Sequence, residues 1–191
     1  MLTFITGPVR SGKSALAQRL AERSGRHVLF CATATIDADD EEWNARIERH
    51  RAERPKNWTV IETAVPQSAG LLAALAAAAE NDTVVVDSLG TWIADMMGLH
   101  PLGTSVVEWN ARIEGYAMQL DGVLEKCAAD VVVVSEEVGW GVVPVHVSGR
   151  VFRDVIGRAN RRLCARADRA YLLISGVALD LKKALPFETI G

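Results

Sequence analysis

Near the amino terminus, Gly7-Pro8-Val9-Arg10-Ser11-Gly12-Lys13-Ser14 fits the pattern G-x-x-x-x-G-K-[ST]. Glycines at these positions let the backbone turn so that several N–H groups point inward at phosphate oxygens. A helix beginning there adds its positive end. Lys13 is spaced to reach the β- and γ-phosphates, and Ser14 to ligate Mg²⁺. Pro8 removes one N–H, so the phosphate contacts come from the other loop positions. Arg10 reads equally as a further phosphate ligand or as a solvated loop charge. The competing reading is a chance pattern in a glycine-bearing loop. The strand-like LTFIT before it and the helical KSALAQRLAERSG after it are the context that the motif demands.

A second apolar run, TVVVD, ends in Asp87. A strand that delivers a carboxylate beside a phosphate loop is the Walker B arrangement, which places an oxygen ligand next to Mg²⁺. A turn aspartate is the plain alternative. Asp87-Ser88-Leu89-Gly90 also spells DxxG, used by GTPase switches, but no N-K-x-D guanine-reading segment accompanies it.

Between these motifs lies IDADDEEWNARIERHRAERPKNW. Asp39 followed by Glu42 resembles a capping box, and Pro55 closes the predicted helix. Arg46, His50 and Arg54 recur every four residues. At 3.6 residues per turn they stay within about 80° of one another over roughly 12 Å. Flanking arginines favour the neutral, nucleophilic imidazole by like-charge repulsion, and arginines clamp phosphate oxygens in pairs of hydrogen bonds. Such a set suits attack on a nucleotide phosphorus. Spacing alone favours the plainer reading, an exposed, mixed-charge helix with Trp43 and Ile47 facing the core.

Farther on, VVVVS leads into Glu136-Glu137-Val138-Gly139-Trp140-Gly141-Val142-Val143-Pro144. This is either a binding loop or a turn with a packed aromatic. The helix beyond carries Arg150, Arg153, Arg158, Arg161, Arg162, Arg166 and Arg169, and a solvated face is its default reading.

These residues need a scaffold. Strands are predicted at Leu2–Thr6, His27–Ala32, Thr59–Thr63, Thr83–Asp87, Val131–Ser135 and Ala170–Ser175. Helices are predicted at Lys13–Ser24, Asp40–Arg54, Gln67–Glu80, Val106–Ala128 and Val147–Ala167, with a loop at Leu99–Ser105. Most strands are continuously apolar, as strands covered on both faces are. The alternation implies an α/β fold, a mostly parallel sheet between two helical layers, with ligands beyond the strands' carboxyl ends. Those ends carry the phosphate loop, Thr33-Ala34-Thr35, Asp87 and Glu136-Glu137.

The whole chain of 191 residues reads as one domain, 1–191. With Lys+Arg 21 and Asp+Glu 24 the net charge is −3, so no global positive field holds nucleic acid or an anionic membrane. Cys31, Cys127 and Cys164 are dispersed, which argues against a zinc site or a disulfide framework. The start MLTFITGPVRSGK lacks a basic leader. The longest uncharged stretch, Thr63–Ala79, is too alanine-rich for a membrane span. A reduced, cytoplasmic protein is expected. On residues alone, a phosphoryl- or nucleotidyl-transferring enzyme, a small-molecule kinase in which His50 is structural, and a non-catalytic nucleotide switch all stand.

From Leu2 to about Lys182 the chain resembles the bifunctional adenosylcobinamide kinase/adenosylcobinamide-phosphate guanylyltransferase family. The resemblance is carried by G-x-x-R-S-G-K-S, by R-I-x-x-H-R-x-x-R-P (Arg46–Pro55) with Trp58 after it, and by Asp87 followed by Thr91-Trp92. It continues in E-V-G-x-G-V-V-P (Glu137–Pro144), F-R-D-x-x-G-R-x-N (Phe152–Asn160) and A-D-x-x-Y-L-x-x-S-G (Ala167–Gly176). It implies a RecA-like P-loop NTPase three-layer sandwich assembled as a homotrimer. It also implies Mg²⁺-dependent phosphorylation of adenosylcobinamide by ATP or GTP, then GMP transfer from GTP through a GMP–histidine intermediate. By position that histidine is His50, with Lys13 as the other catalytic residue. The family's nucleotide contacts carry over to Gly7, Pro8, Val9, Arg10, Ser11, Gly12, Lys13 and Ser14, to Thr33, Ala34 and Thr35, to Arg51, Ala52, Glu53 and Arg54, and to Glu62 and Asp87; Ser14 and Asp87 carry over as metal ligands. The chain departs from the usual pattern at Pro8 and Val9, at Glu136 (often asparagine) and at Val145 (often glutamate).

Overall fold

A computed structural model describes residues 1–63, 68–99 and 105–184. The body of the loop predicted at Leu99–Ser105 and the predicted helix start at Gln67 lie outside the described residues. The elements run β1 (Leu2–Thr6), α1 (Lys13–Arg23), β2 (His27–Ala32), α2 (Glu41–Ala52), β3 (Thr59–Glu62), α3 (Ser68–Ala77), β4 (Asp82–Asp87) and α4 (Leu89–Leu99). After these come α5 (Val106–Lys126), β5 (Asp130–Val134), α6 (Val147–Arg166), β6 (Arg169–Ile174), β7 (Val177–Asp180) and a 3-10 turn (Leu181–Lys183).

The strands form one sheet in the order β3-β2-β4-β5-β1-β6-β7. Every pairing is parallel except β6 with β7. The valine runs explain why. Val84 and Val86 of β4 and Val131 and Val133 of β5 face one core; Val85, Val132 and Val134 face the other. Alternation along each strand therefore supplies two apolar surfaces, and both must be covered. The larger core is closed by α3, α4, α5 and α6 through Leu75, Trp92, Ile113, Leu120 and Ile156. The smaller is closed by α1 through Ala17 and Ala21, and by Trp58. The expected α/β three-layer architecture is what the chain adopts.

The structure differs from the sequence reading at two elements. No element was expected over 89–99, yet Leu89, Trp92, Ile93, Met96 and Met97 are buried at helical spacing and form α4. The final strand was expected to run to Ser175. Instead Ser175 (φ 51°) and Gly176 (φ 82°) form a tight turn into β7, because two left-handed residues let adjacent antiparallel strands keep their twist.

Local signals also resolve differently. Asp40, not Asp39, caps α2, its side chain accepting from Trp43 N at 2.8 Å. The arginines of α6 are engaged rather than merely solvated. Arg158 donates to Glu114 and Asn110, Arg162 pairs with Glu114 and Asp121, and Arg166 donates to the Asp121 carbonyl, so α6 is laced to α5. Arg150 and Arg153 hold the carbonyls of Gly139, Val142, Pro144 and Val145.

Leu120 is 1% exposed in the larger core. Leu120→Ala removes packed methyl groups and leaves a cavity, and is expected to cost about 2–5 kcal/mol in urea unfolding. A loss under about 1 kcal/mol would mean that α5 is not packed there as described.

Candidate active site

The loop between β1 and α1 is built by backbone conformation. Gly7 (φ 151°) stands where an added Cβ would lie 2.3 Å from the Leu173 carbonyl oxygen, and Gly12 (φ 100°) caps α1 in a left-handed conformation. Neither the close approach nor the φ at Gly12 suits a side chain. The segments just beyond β5 and β6 fasten the loop: Glu137 N donates to the Gly7 carbonyl at 3.1 Å and Gly176 N to the Ser11 carbonyl at 3.0 Å. Lys13 folds back over it, its Nζ donating to the Pro8 carbonyl at 2.9 Å. Lys13 is 8% exposed as a residue. That burial pulls its pKa below the usual lysine value, while Glu136 and Asp87 oppose the shift. The Ser11 hydroxyl is buried in the same loop without a protein partner, a polar atom suited to a phosphate oxygen.

Strand order decides which carboxylates come near. β5 lies between β1 and β4, so the loop, Glu136 just beyond β5, and Asp87 at the end of β4 stand side by side. Asp87 is hydrogen-bonded to Ser14; burial pushes its carboxyl above the usual range, and the Ser14 bond and the charges of His50, Arg54 and Lys13 oppose the shift. Glu136 is likewise pushed up by burial, against a hydrogen bond from Ser88, the Lys13 charge and the Gly90 N–H. Among the described residues no three His, Cys, Asp or Glu side chains cluster as a self-sufficient metal site. Magnesium does not require one: it takes one or two protein oxygens and completes its shell with phosphates and water. A hydroxyl and a carboxylate already in contact at the phosphate loop fit that demand.

The helix α2 forms the opposite wall. Trp43 Nε1 donates to the Thr35 carbonyl at 2.8 Å, which ties the start of α2 to the end of β2. Ile47 is buried. Arg51 reaches Glu62 at 3.2 Å and Glu48 at 2.6 Å. The Arg54 guanidinium lies 4.3 Å over the Phe30 ring, itself stacked on Trp58. Its Nε is buried without a partner, and desolvation lowers its pKa. Arg46, His50 and Arg54 then face one cavity of about 630 Å³ shared with Lys13, Ser14, Asp87 and Glu136. These three side chains and the phosphate loop line the same cavity.

With this geometry in place, comparison with known proteins is specific. The family model described as cobinamide kinase / cobinamide phosphate guanyltransferase matches residues 3–181. The chain belongs to this family. It is 33% identical over 187 residues to the bifunctional adenosylcobalamin biosynthesis protein CobU of Escherichia coli (strain K12), covering 95% of this chain and 100% of that one. The protein of the same name from Salmonella typhimurium is 32% identical over 187 residues, with the same coverage. The bifunctional adenosylcobalamin biosynthesis protein CobP of Pseudomonas aeruginosa is 33% identical over 183 residues, covering 95% of this chain and 98% of that one. Among solved structures, the RadB recombinase aligns with a TM-score of 0.47 and 16% identity over 90% of this chain and 73% of that one. That likeness is too slight to carry an argument.

In this cobinamide kinase family member, the cavity gathers most of the expected site residues. Val9, Arg10, Ser11, Gly12, Lys13, Ser14, Ala34, His50, Arg51, Glu53, Arg54, Glu62 and Asp87 line it. Gly7, Pro8, Thr33, Thr35 and Ala52 are not among the lining residues. Gly7 and Pro8 shape the loop. Thr33 is fully buried, its hydroxyl donating to the Ser88 carbonyl at 2.7 Å, and the Thr35 hydroxyl donates to Asp95 at 3.0 Å. Ala52 is exposed on α2. Two further residues or segments contribute. Glu136 stood in the sequence reading at a ligand-facing strand end and in a candidate binding loop, but with no role of its own. The start of α4, with Ser88, Gly90 and Thr91 on the cavity wall, was missed with its helix.

The Asp87 carboxyl sits above its unfolded pKa, so its ionisation opposes folding. A raised acid contributes stability below the unfolded pKa and loses it as pH rises through the folded one. Asp87→Asn is therefore expected to raise the melting temperature in EDTA at pH 8, with the gain vanishing toward pH 4. A variant that melts lower at both pH values would contradict this burial.

Proposed function

We infer that this protein is a bifunctional cobinamide kinase and cobinamide-phosphate guanylyltransferase. Family membership supports both activities, and the observation that carries the reading is one cavity lined by both Lys13 and His50. In the first reaction adenosylcobinamide takes the γ-phosphoryl group of ATP or GTP. In the second, GTP gives GMP to adenosylcobinamide phosphate, yielding adenosylcobinamide-GDP and pyrophosphate.

The phosphate loop seats the triphosphate on its backbone N–H groups, with the Ser11 hydroxyl and Lys13 on the outer phosphates. Ser14 and Asp87 would hold Mg²⁺ there, which when bound offsets phosphate charge. An imidazole nitrogen of His50 attacks the α-phosphorus; the N–P bond forms as the bond to the β-phosphate oxygen breaks, and pyrophosphate leaves. The phosphate oxygen of adenosylcobinamide phosphate then attacks the same phosphorus, and the N–P bond breaks. Arg46 and Arg54, one turn to either side, offer donors for phosphate oxygens. Arg54 is already partly desolvated against Phe30, so phosphate contact there takes little further water from it.

The same reading takes residues 1–191 as one P-loop unit. It works in the cytoplasm as a homo-oligomer, a trimer by family resemblance. Among the described residues no helix is long and apolar enough to cross a membrane.

Incubation with GTP and Mg²⁺ is expected to raise the intact mass by one guanylate, in an acid-labile bond, and His50→Ala to abolish the increase. Full labelling of His50→Ala would remove the histidine from the mechanism.

A further inference from the structure

Glu136 sits in the cavity for reasons the reading above does not use. Its Oε2 accepts the Gly90 N–H at 3.0 Å, and its main-chain carbonyl accepts Asn160 Nδ2 at 2.9 Å. Ser88 donates to the same carboxylate. The approach to α4 is so close that a Cβ at Gly90 would lie 2.1 Å from Glu136 Oε2. Gly90 is thus the residue that lets this carboxylate in. The result is a second acid beside Lys13, on the β5 side of the phosphate loop, whereas Asp87 is taken by Ser14.

We propose that Glu136 is the general base of the kinase step, accepting the proton of the alcohol that attacks the γ-phosphorus. The inference rests on the kinase half of the reading above. As the alcohol oxygen–phosphorus bond forms, the bond from the γ-phosphorus to the β-phosphate oxygen breaks and the nucleoside diphosphate departs. The alcohol proton passes to the Glu136 carboxylate and from there to water. Three features suit the task. The carboxylate lines the cavity. Fixed donors, Ser88 and the Gly90 N–H at the start of α4, hold it in one orientation, so little reorganisation accompanies proton transfer. Partial desolvation makes it a stronger base than a surface glutamate. His50 stands on α2, across the cavity, and needs no help from Glu136 to attack the α-phosphorus.

The plain structural alternative is that Glu136 only caps the start of α4. The two roles separate on substitution, because Glu136→Gln keeps an acceptor oxygen for Gly90 N–H and Ser88 but cannot take a proton. The experiment uses the full chain with adenosylcobinamide, ATP or GTP, and Mg²⁺. It reads phosphorylation kcat, covalent guanylylation of His50 in a single turnover, and melting temperature. Glu136→Gln is expected to lose about 100-fold or more in phosphorylation kcat. Its guanylylation should stay within about threefold of wild type, and its melting temperature should not fall, since the substitution removes a carboxyl that burial pushes up. Gly90→Ala, which displaces the carboxylate without removing it, is expected to lose phosphorylation in the same selective way. Phosphorylation by Glu136→Gln within about threefold of wild type would overturn the proposal. A parallel fall in both reactions would overturn it too, assigning Glu136 to nucleotide binding or to the cap. A wild-type protein that guanylylates His50 but never phosphorylates the corrinoid would instead defeat the kinase reading, and the base with it.

Discussion

A largely buried lysine, with two acids beside it, is the constraint on which this structure turns. Lys13 is fixed across its own loop by the Pro8 carbonyl and flanked electrostatically by Glu136 and Asp87. An isolated buried charge is costly, and proteins keep one only where partners compensate. Here the partners are incompletely satisfied as well, since burial pushes both carboxyls up. On the proposed reading, a nucleotide would relieve this cluster, with phosphate oxygens for Lys13 and a cation for Asp87. Sites of this kind sacrifice apo stability to be ready for a ligand.

The sheet exists in this order to create that neighbourhood. Placing β5 between β1 and β4 sets Glu136 between the phosphate loop and Asp87. The antiparallel β6–β7 corner then buttresses the loop through Gly176 and Leu173. On the far side, α2 is not deeply rooted: Ile47 is its one buried residue. It is held instead by polar ties, Trp43 to Thr35 and Arg51 to Glu62, and by Arg54 on Phe30. On the proposed reading, a helix so attached presents His50 to a phosphorus without being locked into the core.

Much of this was legible in the sequence because its causes are local. The phosphate loop announces itself by glycines that only certain φ values explain. The valine runs of β4 and β5 read as doubly covered strands because they are. The four-residue recurrence of Arg46, His50 and Arg54 required only the pitch of a helix. What stayed hidden depends on distant partners. Nothing near Glu136 reveals that Gly90, forty-six residues away, leaves room for it. Nothing within α6 reveals that Glu114 and Asp121 await its arginines. The helix α4 was a different failure: its 0, 3, 4, 7, 8 stripe of buried residues was present, but apart from Thr91 and Asp95 the residues between are small or apolar, so the contrast that marks an amphipathic helix was weak. Asp40 rather than Asp39 as the cap is the usual ambiguity of adjacent acids.

On the proposed reading, two reactions at two different phosphorus atoms run from one phosphate cradle. Lys13→Met removes the charge while leaving a side chain of similar length in the loop, so it should disable both. In a variant shown by its melting curve to be folded, both corrinoid phosphorylation and covalent guanylylation of His50 are expected to fall together by about 100-fold or more. Guanylylation at the wild-type rate alongside a lost kinase activity would mean that His50 draws its GTP from somewhere else.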